Sequence, residues 1–371
     1  MQLLLYILGI GLGVFLLVKS ADWFTDAAVS IAYRLNVPDI IIGAHDWLGE
    51  LVTNGMLAPV ELGDKAEEFN SGALSAFTWY EDSQLYGVPY AIENIALFYN
   101  TDLVPTPPTT WDEVVEISKA LMDEGKAEYG FIRQIGDPYH FYPIQTAFGG
   151  YIFGQNADGS YNATDLGLNS EGSVAALEWL NSMYEDGLMD RNGNINGDLM
   201  LSAFQNGDAA MVISGPWALS GIRAAEVPYA VGNIPTGTVA GAPFLGVQGF
   251  VVNAFSENIL LAQAFLTEFV ATEDAMLKFY EADPRAPAYK PALAKVDDAD
   301  LLAIAAAGEG ALPMPAIPEM GAVWSDWGNA LTFIFNGEKT PEQAYTDAAN
   351  NIRIAIASKG MVNVPGSFQS L

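Results

Sequence analysis

The chain has no cysteine, two histidines, and 15 basic residues set against 45 acidic ones. Without cysteine no disulfide framework and no thiolate metal site can form. The two histidines, His45 and His140, stand apart and make a poor metal site. Each is read as a structural or rim residue, and no metal or other cofactor is expected. The shortage of Lys and Arg leaves a net charge of −30. A phosphate-binding surface needs a basic stripe, so no nucleic acid is expected as a partner. The acidity reads instead as a solvated surface that keeps an exported protein soluble. Long uncharged apolar runs are also missing, with one exception at the very start.

That exception is Met1 to Val18, which carries no charge and is almost wholly apolar from Leu3 onward. Eighteen helical residues span ~27 Å, enough for a hydrocarbon core. No basic n-region precedes the run and Lys19 follows it, so it is read as an uncleaved membrane helix rather than a signal peptide. Residues 20–37 then form a candidate amphipathic helix that ends before Pro38. The string "KSADWFTDAAVSIAYRLNVPDIIIG" resembles the start of sodium/calcium exchanger family membrane proteins over residues 3–43. The Gly-Thr-Ser-x-Pro-Glu stretch of that family does not follow, so the resemblance implies a chimera or fusion rather than an exchanger.

From Pro38 onward, helix and strand patterns alternate, which predicts α/β layers. At 371 residues, two lobes are expected in preference to one core. Thr110-Trp-Asp-Glu113 is a capping box, with Val114, Ile117 and Leu121 on one helical face and Gly125 as the stop. A further helix is predicted from Ser170 to Gly187. Ser256 is predicted to cap a helix carrying Ile259, Leu266, Phe269 and Val270, and Thr272 to open the next. Strands are predicted at 96–99, 210–213, 229–234 and 250–253.

Five segments, among them "PDIIIGAHDWLGELVTNGMLAPV" at 38–60, "GVPYAIENIALFYNTDLVPTPPTTWDEV" at 87–114 and "AFQNGDAAMVISGPWALSGI" at 203–222, resemble the maltose/maltodextrin-binding proteins, extracellular solute-binding protein family 1. The others are "DPYHFYPIQTAFGGYIF" at 137–153 and "MPAIPEMGAVWSDWGNAL" at 314–331. The resemblance implies a two-lobed periplasmic-binding-protein fold of type II with interleaved lobes. Residues 38–92 and 250–299 would form lobe one, 93–249 and 300–357 lobe two, and 358–371 a tail, after a membrane segment at 1–37. About two βα units of that family precede the position of Pro38, so lobe one is expected to be truncated.

A saccharide offers a C–H face, which aromatic rings cover, and hydroxyls, which carboxylates accept in charge-assisted hydrogen bonds. By the resemblance, Asp46, Glu93, Asp137, Tyr139, Trp217 and Trp324 are the expected ligand contacts. Trp79, Trp111, Trp179 and Trp327 are read as packing residues. Gly43 stands where the family has an aromatic residue and Trp47 where it has a basic one; Leu219, Ser325 and Gly328 depart as well. The implied function is a non-enzymatic receptor that delivers a maltodextrin-like oligosaccharide to ABC permease subunits. It would act at the periplasmic or extracellular face, anchored by the N-terminal helix. Two other readings stand beside it: a fragment of an exchanger-type membrane protein, and a glycoside-processing enzyme, which would need two carboxylates across one glycosidic bond.

Overall fold

A computed structural model describes residues 38–157, 159–191 and 195–362. The expected membrane helix and amphipathic segment of residues 1–37 therefore lie outside the described residues, as does most of the tail. Among the described residues no helix is long and apolar enough to cross a membrane.

Two sheets organise the described chain. The first contains β1 (Ile40–Ala44), β2 (Leu57–Ala58), β3 (Gly87–Glu93), β10 (Phe244–Asn253), β11 (Ala286–Pro287) and β12 (Leu312–Pro313). Its central path runs β1-β10-β3-β11, antiparallel throughout, with β2 and β12 on the two ends of β10. The second sheet has the order β5-β8-β4-β9, from β4 (Ala96–Asn100), β5 (Tyr129–Ile132), β8 (Ala209–Ser214) and β9 (Tyr229–Gly232). A hairpin of β6 (Phe153–Gln155) and β7 (Tyr161–Leu166) stands apart.

Strands β4 and β8 are buried at every residue, because both faces of the second sheet are covered. Leu97, Tyr99 and Met211 enter a core with Trp111, Phe131, Trp179 and Trp327, while Phe98 and Val212 face Phe204, Leu301 and Ile304. The first sheet keeps its own core around Phe69, Phe77, Val88, Val252 and Leu266. The chain leaves the first sheet at Glu93 and enters the second at Ala96. Asn94, buried between them, donates to the carbonyl of Ile304 at 2.6 Å and pins the crossing. The return is made by β10, whose first residue Phe244 is packed in the core beside the second sheet.

The expected capping box is present: Thr110 Oγ1 accepts from the Glu113 amide at 3.1 Å, and the helix Trp111–Asp123 ends before Gly125 at φ +65°. Ser170 caps the helix Glu171–Glu185. Thr272 caps Glu273–Ala282. The helix at Ile259–Phe265 departs from expectation. Its N-cap is Asn258, and Ser256 stands two residues before it, with Oγ accepting from the Asn258 amide at 2.8 Å and donating to Asp39 Oδ1 at 2.6 Å. Residues Leu266–Val270 then form a π-helical turn. That wider turn breaks the 3.6-residue period. Leu266 and Val270 stay buried while Phe269 is 68% exposed. Strand β10 starts six residues earlier than the apolar run suggested, since Gly246 and Gly249 interrupt the apolar pattern in sequence while the strand runs on through both, with a register shift against β3 at Gln248 and Gly249.

Candidate functional site

Strand ends converge where the two sheets face each other, in a cavity of about 340 Å³. Its lining is Ala44, Asp46, Glu93, Tyr139, Trp217, Gln248, Arg285, Met314 and Trp324. Five of the six expected contacts therefore share one cavity. Asp46 lies in a 3-10 turn, His45–Trp47, that follows β1 directly, and Glu93 is the last residue of β3. Trp217 lies in the 3-10 turn Pro216–Ala218 after β8, and Trp324 opens the helix Trp324–Asn336. Ligand sites of α/β sheets form in this way at the carboxyl ends of strands.

The aromatic wall is continuous. Tyr139 stands 6.2 Å from Trp217 between ring centroids and 6.3 Å from Phe244, which is 6.3 Å from Trp324. Behind it Tyr142 stacks on Phe244, and Trp324 on Trp327 at 5.9 Å. Rings packed from behind present a fixed face to the cavity. Burial, with the charges of Asp46 and Asp137, raises the Tyr139 phenol, so it keeps its proton at neutral pH and remains a donor.

Asp46 is the electrostatic centre. Burial pushes its carboxyl up to about 6, against the opposing effect of hydrogen bonds from its own backbone and from Trp324. Its Oδ1 is buried and accepts no hydrogen bond from the protein. A buried acceptor left unmatched costs roughly 1–3 kcal/mol, so the folded state carries a penalty that a donor such as a hydroxyl would remove. Neighbouring His45 is fully buried, with Nδ1 accepting from the Val247 amide and Nε2 donating to the Met314 carbonyl, both at 3.1 Å. Burial lowers its pKa to about 4, so it stays neutral and fixes the turn that carries Asp46.

Glu93 is buried and bonded twice: Gln248 Nε2 donates to Oε1 at 2.8 Å, and Arg285 pairs with Oε2. The Arg285 guanidinium also lies 5.6 Å from the Trp217 ring and reaches Asp283 at 2.7 Å. It thus links the residue just before edge strand β11 to the turn that follows β8.

Asp137 is the exception among the six. Its Oδ1 caps the helix Pro138–Ala147 by accepting from the Tyr139 amide at 2.9 Å, and Oδ2 is taken by His140 and Gln134. Burial works to raise its pKa, but His140, Arg133 and Gln134 outweigh it and hold the carboxyl low. Asp137 sets the angle of Tyr139 and does not line the cavity. Sequence reasoning missed Arg285 and Gln248. Arg285 had one usable signal, a basic residue in a chain with few of them, just before the short strand β11.

Among the described residues, two cavities are larger. One of about 890 Å³ is bounded by Thr53, Asn54, Trp79, Tyr80 and Glu319, and one of about 510 Å³ by His45, Trp79, Tyr161 and Met314. Neither is lined by a buried polar side-chain atom without a partner, whereas the smaller cavity has Asp46. Convergent rings, a few polar groups and a carboxyl of shifted pKa make the smaller cavity the candidate site. Trp79, Trp111, Trp179 and Trp327 are all buried, as packing residues would be. Among the described residues no group of three or more His, Asp or Glu is placed to hold a metal ion.

Comparison with known proteins gives the family of the chain. Residues 25–307 match the family model described as bacterial extracellular solute-binding protein. The chain is 33% identical over 333 residues to the galactooligosaccharide-binding protein of Bacillus subtilis, covering 87% of this chain and 78% of that one. It is 30% identical over 337 residues to the maltodextrin-binding protein of the same organism, with 87% and 79% covered. It is also 30% identical over 336 residues to a maltooligosaccharide ABC transporter solute-binding lipoprotein of Streptococcus pneumoniae, with 87% and 78% covered. These matches lend no support to the exchanger resemblance of residues 3–43, and the family match begins inside that segment, at residue 25. The chain belongs to the bacterial extracellular solute-binding protein family.

Proposed function

We propose that this protein is the oligosaccharide receptor of an ABC importer. Its ligand is a hexose oligomer of the maltodextrin or galactooligosaccharide kind, gripped between two lobes and passed on unaltered to the permease. The observation that carries this reading is the cavity where Tyr139, Trp217 and Trp324 meet Asp46, whose buried Oδ1 has no protein donor. The rings suit the C–H faces of pyranoses, and Asp46 and the Glu93–Arg285 pair suit their hydroxyls. Residues 38–92 with 250–299 would be one closing lobe and 93–249 with 300–357 the other. The receptor works outside the cytoplasmic membrane, and the uncharged run Leu3–Val18 is its candidate anchor.

The relatives named above are binding proteins, which favours binding over glycoside cleavage. Titration calorimetry with maltotriose and with a galactotriose tests the proposal. Saturable heat with one of them, and no shorter products on chromatography after overnight incubation, is the expected result. Absence of heat with both, or turnover of either, sinks it.

A further inference from the structure

We infer that the saccharide site extends past Asp46 and Trp324 into a second subsite whose floor is Trp47, and that this subsite selects for ligand length. The inference rests on the sugar-binding reading above and assigns a role to Trp47 and Gly43 that the first cavity does not need.

A second cavity, of about 280 Å³, is lined by Asp46, Trp47, Glu50, Leu51, Gly321 and Trp324. Asp46 and Trp324 line the first cavity as well. The two spaces are therefore neighbours across one carboxylate and one indole. An oligomer that occupies the first and continues along its own axis meets Trp47 next. The buried Oδ1 of Asp46 lies at the junction, where hydroxyls of adjoining rings would come together.

Trp47 has the form of a platform rather than of a core residue. It is 50% exposed. A Cβ built on Gly43 would fall 2.6 Å from its Cε3 and Cζ3, so the six-membered ring rests directly on the backbone of β1. Gly43 does not have the positive φ that would demand glycine on conformational grounds. What the position demands is the absence of a side chain, because the indole fills that space. The Cε3–Cζ3 edge of the ring is thus held against β1, and the half-exposed residue lines the second cavity. A pyranose laid there would bury apolar C–H surface that a shorter sugar leaves in water.

The test uses the full chain and two series, maltose with maltotriose and galactobiose with galactotriose, measured by calorimetry. In the series that binds, the trisaccharide is expected to bind more tightly than the disaccharide. Trp47→Ala should reduce that ratio about tenfold, as expected for loss of one stacking surface. Gly43→Ala should reduce it in the same direction by displacing the ring, and Trp47→Phe should restore part of it. Trp217→Ala, in the first cavity, should weaken both lengths together and leave the ratio in place. Thermal melting confirms that each variant is folded. Binding of both lengths with a ratio that Trp47→Ala and Gly43→Ala leave unmoved overturns the subsite while sparing the receptor. So does a trisaccharide that binds no better than its disaccharide. No binding in either series overturns both.

Discussion

The carboxyl of Asp46 makes oligosaccharide affinity depend on pH in a defined direction. Burial lifts it from 3.8 to about 6 in the free protein. Hydroxyls that donate to its unmatched Oδ1 stabilise the charged form, so binding pulls the pKa back toward the ordinary value and releases a proton. With a free pKa of about 6, affinity should be weaker at pH 5 than at pH 7, by at most about tenfold. At pH 5.5 a fraction of a proton, at most about 0.8, should leave per saccharide bound. Calorimetry in two buffers of different ionisation enthalpy reads that number directly. His45 does not confuse the window, because its imidazole charges only near pH 4. Asp46→Asn should abolish the proton release and flatten the profile while weakening binding at pH 7. Stability runs the opposite way. A carboxyl whose folded pKa is raised destabilises the fold as pH rises from 3.8 through 6, by up to about 3 kcal/mol. Asp46→Asn should therefore melt higher than the parent at pH 7. An Asp46→Asn variant that keeps the parent's pH profile, or a parent that releases no proton, refutes the assignment.

Other consequences are simpler to state. Trp324→Ala removes a ring shared by both cavities and should weaken binding about 10–30-fold by calorimetry. Arg285→Ala leaves Glu93 buried without its cation. Urea unfolding should show a loss of about 3–5 kcal/mol, with Glu93→Gln plus Arg285→Met recovering part of it. Thr110→Ala deletes one half of a capping box far from the cavity, so it should cost about 1 kcal/mol in urea unfolding and leave affinity in place.

Much of the fold was legible because local rules agreed with the tertiary structure. The Thr110–Glu113 pair, the Ser170 and Thr272 caps and the continuous apolar runs of β4 and β8 each state their structure within a few residues. The helix at Ile259 starts two residues later than expected because Ser256 closes a turn on the Asn258 amide while bonded to distant Asp39, and a π turn then leaves Phe269 exposed. Neither event leaves a mark in the local pattern. For the site, family likeness in Ala-His-Asp, Gly-Pro-Trp and Ala-Val-Trp placed Asp46, Trp217 and Trp324. Asp137 falls outside the cavity because an Asp before Pro at a helix start suits a cap as well as a ligand contact, and the partners of its two oxygens are a cap, His140 and Gln134. Arg285 escaped notice because its partner Glu93 lies 192 residues away.

Strand β10 belongs to both halves of the molecule at once. Phe244 at its start is stacked on Tyr142 in one core, and Val252 near its end is packed in the other. Between them the ladder with β3 slips at Gln248 and Gly249, and the Phe77 ring presses on the Gly249 backbone. A single ten-residue strand is thus held in a core at each end, with its ladder irregularity midway, beside the Gln248 that holds Glu93. A motion of one core against the other would have to pass through this strand, so substitutions around Gly249 should change the rates of saccharide capture and release without touching the saccharide.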